Sequence, residues 1–136
     1  MLKKPKPGVT ILIPTFNNED TIWDCLNSIK LQTYRNIKIL VIDNGSNDRT
    51  LEIARSFKNI KIKIYKNFKG MENLAFCYKN KMVYTKYTAV YHSDDIYHKR
   101  IVEEQVQYLE KNPKTILVTT KAYLVNKQNK IISKTN

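Results

Sequence analysis

Two adjacent carboxylates, Asp94 and Asp95, follow the apolar run Thr88-Ala89-Val90-Tyr91 and sit inside Tyr91-His92-Ser93-Asp94-Asp95-Ile96. Like charges side by side repel, so the pair costs free energy unless water, hydrogen-bond donors or a cation absorb it. At the mouth of a strand such a pair can hold a cation or polarise a ligand. Asp is also a common turn residue, and taken alone the pair fits a solvated turn slightly better than a site. Two further polar clusters shift that balance. Pro14-Thr15-Phe16-Asn17-Asn18 closes the apolar run Val9 to Ile13, and Asp43-Asn44-Gly45-Ser46 closes Ile37 to Ile42. Together the three clusters offer an aromatic ring (Phe16), a central acid with an amide beside it (Asp43 and Asn44) and the acidic pair. A base can stack on the ring and hydrogen-bond through its edge to a carboxylate or amide, while a divalent cation bridges carboxylate and phosphate oxygens. A nucleoside diphosphate needs those parts.

The elements that must position them follow from the apolar spacing. Val9 to Ile13 reads as a short buried strand closed by Pro14, and Ile22, Leu26 and Ile29 recur at helical spacing, with Asn18 or Asp20 placed to cap that helix. Ile37 to Ile42 is a second strand, and Leu51, Ala54 and Phe57 or Ile53 mark a short second helix. Ile60, Ile62 and Ile64 alternate with Lys61 and Lys63, the period of a half-exposed strand near a sheet edge. Met71, Leu74, Tyr78 and Met82 mark a third helix, and Tyr87 to Tyr91 is a fourth strand that delivers the acidic pair. Val102, Val106 and Leu109 carry a fourth helix stopped by Asn112-Pro113. Thr115 to Thr119 reads as a fifth strand, and Tyr123–Val125 with Lys130–Ser133 as a hairpin-like tail. Alternating strands and helices predict an α/β domain with a mainly parallel sheet. In such sheets ligands lie at the carboxyl ends of the strands, where the strand order reverses, so the three polar clusters converge on one rim.

Composition narrows the classes. The 136 residues are 42% hydrophobic, enough for one domain with a real core. No run approaches the ~20 apolar residues of a membrane span and no signal-peptide core follows Met1, which predicts a cytoplasmic protein. Cys25 and Cys77 lie far apart with no CxxC, so they are expected to be reduced core thiols and not zinc ligands. The net charge is +12, from 24 Lys and Arg against 12 Asp and Glu. Most of the excess is Lys, with Arg only at Arg35, Arg49, Arg55 and Arg100. A diffuse Lys surplus suits a solvated face, a nucleotide diphosphate or an anionic membrane surface better than base reading, so no nucleic-acid partner is expected. With glycine only at Gly8, Gly45 and Gly70 the chain holds neither GxGxxG nor a P-loop. A receiver-type phosphoacceptor needs acids after its first strand, where this chain has Pro14-Thr15. No Ser, Cys and His constellation for a nucleophilic hydrolase assembles.

The ordered residues Val9-Thr10-Ile11-Leu12-Ile13-Pro14-Thr15-Phe16-Asn17-Asn18-Glu19, then Leu26, Ser28, Ile29, Gln32, Thr33 and Tyr34, then Ile42-Asp43-Asn44-Gly45-Ser46-Asn47-Asp48 with Thr50, resemble the start of a family 2 glycosyltransferase. Ser93-Asp94-Asp95-Ile96 falls where that family carries its DxD-type motif, and the likeness runs from about Val9 to Ser133. The resemblance implies the GT-A fold, a three-layer α/β/α sandwich. It also implies a nucleotide-sugar donor, with a UDP-sugar expected, and transfer with inversion to an acceptor hydroxyl of a glycan, a lipid-linked carrier or a protein. Thr15 and Phe16 would lie against the base, Asp43 or Asn44 would bond to its edge, Asp94 would contact the ribose or donor sugar, and Asp95 would bind Mn2+ or Mg2+ on the diphosphate. A lipid-linked acceptor would bring peripheral contact with the inner face of a membrane.

The chain departs from the pattern in three places. His92 stands where many members have another Asp. Ala75 is followed by Phe76 and Cys77 where the family shows Ala-Arg-Asn, which leaves Lys69 or Lys79 to face the diphosphate. Residues 1–136 are expected to be a single donor-binding domain, truncated before the acceptor-binding part that supplies the catalytic base, and no residue is matched to that base. A binding module without a base is therefore the alternative to an active transferase, and a polyanion binder comes a distant third.

Overall fold

The computed structural model describes residues 5–66, 72–126, 128 and 130–135. Strand β1 (Val9–Thr15) is rich in β-branched side chains, which pack well on a pleated sheet. It leads into helix α1 (Ile22–Lys30), whose Ile22, Cys25, Leu26 and Ile29 fall on one buried stripe. Asp24 in the first turn and Lys30 in the last complement the helix dipole. The chain continues through β2 (Ile37–Asp43), α2 (Thr50–Arg55), β3 (Ile60–Ile64), α3 (Glu72–Lys79), β4 (Tyr87–Val90) and α4 (Ile101–Lys111). It closes with β5 (Tyr123–Val125) and β6 (Ile131–Lys134).

Strands β3-β2-β1-β4 form one parallel sheet in that order. From β1 the chain steps outward to β2 and β3, then returns to add β4 on the other side of β1. The order therefore reverses between β1 and β4, and the carboxyl ends of these strands are where sheets of this kind bind ligands.

Alternation along the strands builds two cores. Val9, Ile11, Ile13, Ile39 and Val41 face α1, α2 and α4, and pack with Ile22, Cys25, Leu26, Ile29, Ala54, Val102 and Val106. Leu12, Leu40 and Ile42 face the opposite way and pack on Leu74 and Cys77 of α3. Helices thus cover both faces, and the expected three layers are present. Both cysteines are free and buried, as the sequence suggested.

Four expectations need correction. β1 does not stop before Pro14 but runs through it to Thr15. Gly8 and Leu12 offer their carbonyls to β4 (Tyr87 N at 3.2 Å, Tyr91 N at 2.9 Å), whereas Thr15 bonds towards β2 through Asn44 N at 2.9 Å. Position 14 therefore faces the β4 side, beyond the end of β4 at Val90, so the missing proline N–H costs no ladder bond.

Thr115 to Thr119 is not a strand. A strand needs a neighbour for its ladder and a face to bury, and here Ile116 is 99% exposed and Leu117 74%. In the described part of the third helix Tyr78 is exposed, Met82 lies beyond the end, and the buried positions are Asn73, Leu74 and Cys77. Met71 and Lys69 lie outside the described residues. Neither Asn18 nor Asp20 caps α1 with its side chain; the N-cap is Thr21, and the Asn18 carbonyl receives Thr21 N and Ile22 N instead.

Candidate active site

The turn after β1 and the turn after β2 are built as one lattice. Asn17 adopts φ 51, in the left-handed region that Asn tolerates, and its Oδ1 accepts Asn47 N at 3.0 Å while its own N–H donates to Ser46 Oγ at 2.9 Å. Asp43 is fully buried, and its carboxylate accepts Gly45 N and Ser46 N on Oδ2, each at 2.9 Å, and Ser46 Oγ on Oδ1. A carboxylate with no exposure is tolerable because its turn supplies these donors. Asp43 thereby holds the turn, and its half-buried neighbour Asn44 stands at the rim.

Phe16, Asn44, Gly45 and Lys66 enclose an open recess of about 300 Å3. The Phe16 ring is 54% exposed, so it presents a face to whatever enters. Gly45 has φ +84, and a Cβ there would come within 3.1 Å of Lys66 Cγ. The positive φ favours glycine, and the absent Cβ leaves the lysine stem its close approach. Lys66 was read from the sequence as one of many dispersed lysines, yet its place just past β3 puts it on the same rim. Lys79, by contrast, ends α3 in solvent.

Thr15 is buried behind Phe16, and its hydroxyl donates to Asn18 Oδ1 at 3.0 Å. The same oxygen accepts Phe16 N at 3.1 Å and Ser93 Oγ at 2.8 Å. Asn18 N–H donates to Thr50 Oγ1 at 2.7 Å, at the head of α2. One side chain therefore ties the β1 turn to the acidic loop after β4, while its backbone reaches the segment after β2. The sequence places Asn18 at the end of the first polar cluster and offers it as a capping candidate, but does not reveal its bond to the loop after β4.

The acidic loop is braced from behind by α1. Cys25 Sγ donates to the His92 carbonyl at 3.3 Å, Tyr97 N to Ser28 Oγ at 3.0 Å, and Gln32 Nε2 to the His98 carbonyl at 2.9 Å. Gln32 is buried and also receives Val102 N at 3.3 Å, so it joins α1 to the start of α4. Burial, then the negative charges of Asp95 and Asp94, push the Cys25 thiol up to about 12, which keeps it a protonated donor. Asp94 and Asp95 themselves are exposed on the outer side of this brace.

Among the described residues no three His, Cys, Asp or Glu side chains converge as a metal cage. Two exposed carboxylates fit a hard divalent cation whose remaining ligands are phosphate oxygens and water, the usual way Mg2+ is held with a nucleotide. The structure thus gathers Thr15, Phe16, Asp43 and Asn44 in one turn lattice, links it through Asn18 to the loop bearing Asp94 and Asp95, and leaves Phe16, Asn44 and both acids outward. An aromatic recess at the carboxyl ends of β1, β2 and β3 and an acidic loop after β4 place the candidate site where open α/β sheets as a class bind ligands.

The comparisons with known proteins make the class specific. The family model described as Glycosyl transferase family 2 matches residues 10–134, and the chain belongs to that family. The chain is 33% identical over 105 residues to a Rickettsia prowazekii protein described as an uncharacterised glycosyltransferase, covering 77% of this chain and 33% of that protein. It is 33% identical over 104 residues to the Escherichia coli UDP-Glc:alpha-D-GlcNAc-diphosphoundecaprenol beta-1,3-glucosyltransferase WfaP, covering 75% of this chain and 41% of that enzyme. Among solved structures, S. aureus TarS 1-349 with UDP-GlcNAc superposes with a TM-score of 0.66 at 20% identity, over 78% of this chain and 32% of that one. Mannosyltransferase PcManGT from Pyrobaculum calidifontis, with GDP-Man and Mn2+, gives 0.67 at 20% identity over 79% of this chain and 36% of that one. These neighbours establish the GT-A fold. The chain spans about a third of the length of the first curated relatives it matches. Among the described residues no helix is long and apolar enough to cross a membrane.

Proposed function

We propose that this chain is the donor-binding part of a glycosyltransferase that takes a UDP-sugar with Mn2+ or Mg2+ and passes the sugar, with inversion, to an acceptor hydroxyl. The observation that carries the reading is the joining of the Phe16–Asn44 recess to the Asp94–Asp95 loop through Asn18. Phe16 stacks on the base, Asn44 bonds to its edge, and Asp43 and Thr15 keep both in place from behind. Lys66 meets the nucleotide with a point charge. Asp94 contacts the ribose or donor sugar, and Asp95 holds the cation against the diphosphate. When bound, the cation offsets charge developing on the departing diphosphate. The UDP named for both the E. coli relative and the TarS complex supports this donor, and the relative's diphosphoundecaprenol substrate supports a lipid-linked acceptor.

Calorimetry with UDP, with and without Mn2+, tests the reading. Binding that tightens with Mn2+ is expected, and Asp95→Ala should lower the Mn2+-dependent affinity at least about tenfold, the scale of a lost charged contact. No binding by the intact protein, or equal binding by the variant, overturns the assignment. Because every site residue has a holding role, a non-catalytic module is the second reading; metal-dependent release of UDP from a UDP-sugar in the same samples would exclude it.

A further inference from the structure

Tyr97 lies two residues past Asp95, and its side chain folds back over the turn that carries the acids. Its hydroxyl oxygen accepts the His92 N–H at 2.7 Å, and stands 3.3 Å from the His92 carbonyl and 3.4 Å from Asp95 Oδ2. The phenol has one proton to give. The His92 carbonyl already receives the Cys25 thiol, and the charged Asp95 carboxylate is the stronger acceptor of the two. The ring itself is fixed, stacked on Tyr91 at 3.8 Å between centroids and 9° between planes. At the other end of the residue, Tyr97 N is held by Ser28 of α1.

From this geometry, and resting on the donor reading above, we propose that Tyr97 is a positioning residue for Asp95. Its hydroxyl fixes the His92 backbone at the entry of the loop and engages Asp95 Oδ2, leaving Oδ1 to face the cation and diphosphate. The Tyr91 ring is the platform on which this arm rests. Tyr91 is itself buried, and its hydroxyl has no hydrogen-bond partner among the described residues, so what Tyr91 supplies is the ring face. The arrangement orients Asp95, beside the like charge of Asp94, before any ligand arrives.

Tyr97→Phe keeps the stack and removes the hydroxyl, and Tyr91→Phe is the matched control. Hydrogen exchange over residues 92–96 of the ligand-free protein should speed up in Tyr97→Phe and not in Tyr91→Phe. In Tyr97→Phe the Mn2+ needed for half-maximal UDP binding should rise roughly three- to tenfold, the scale of one lost hydrogen bond. UDP affinity in EDTA should equal that of the unmodified protein, which also certifies the fold. A purely structural tyrosine would instead change both UDP affinities together. Unchanged exchange, an unchanged Mn2+ requirement or loss of the fold in Tyr97→Phe overturns the role of Tyr97 alone. Failure of the unmodified protein to bind UDP with Mn2+ removes the donor reading and this role with it.

Discussion

The molecule before Lys111 and the molecule after it are made of similar side chains put to opposite use. In the first region Ile11, Ile13, Ile22 and Val41 have no exposed surface, and polar groups as awkward as Asp43 and Gln32 are buried with partners. In the second, Ile116, Leu117, Leu124, Ile131 and Ile132 are each at least 60% exposed, and all residues of β5 and β6 lie in solvent. The side chains are as apolar, but among the described residues only the first region has helices packed on its sheet; the β5–β6 pair is uncovered. The side of the domain that carries the candidate site is thus held by interactions within the first 111 residues, and the described residues of the tail add little to them.

The sharpest way to break that comparison is a matched pair of truncations. Ile11→Ala deletes a side chain packed fully between the sheet and its helices, and should cost about 2–5 kcal/mol in urea unfolding. Ile116→Ala removes the same atoms from water and should change stability by less than about 0.5 kcal/mol. Comparable losses would mean that the tail is packed after all.

A second pair tests the polar lattice. Asn18 Oδ1 accepts three hydrogen bonds, two of them from the buried residues Thr15 and Ser93. Asn126 Oδ1 in the exposed hairpin accepts two, from Gln128 N and Lys130 N. Removing the acceptor leaves donors stranded only where water cannot reach them. Asn18→Ala should therefore cost about 1–3 kcal/mol with an unchanged denaturant slope, and Asn126→Ala less than about 0.5 kcal/mol. Equal small costs would show that Asn18 does not join the loops.

How much was legible in the sequence follows the same divide. The buried strands, the edge position of β3 and the convergence of three polar clusters were readable, because alternation and helical spacing report burial wherever a core exists. Thr115 to Thr119 misled for the converse reason: its composition suits a strand, but no described neighbour completes one. Within the candidate site, Phe16 and the acidic pair drew notice by type and position, the pair only once the other two polar clusters were set beside it. Asn18, Lys66 and Tyr97 did not, since their placement depends on three-dimensional closure between segments distant in sequence, up to 75 residues apart for Asn18 and Ser93, or on a side chain folding back over its own loop. Pro14 ended a strand by rule and not in fact, because the rule omits which neighbour the missing N–H would have faced.

The third and smallest expected effect is a pH signature of the braced region. In the folded chain the Cys25 thiol titrates near 12, above its ordinary value of 9.0, because burial and then Asp95 and Asp94 oppose the thiolate. Between those values the unfolded chain releases the proton and the folded chain keeps it. The unfolded state then binds fewer protons, so stability must fall as pH rises, by at most about 1.4 kcal/mol per unit. Burial raises Cys77 in the same direction, so it adds to the slope. Below the ordinary thiol range both states hold the proton and the contribution is complete. Urea unfolding at about pH 8, 9 and 10 should show the decline, with the buried tyrosines joining only at the upper end. Cys25→Ala should start lower, having lost the contact to His92, and decline less steeply. An identical slope in the variant would place the alkaline sensitivity elsewhere and remove the thiol from the brace behind Asp94 and Asp95.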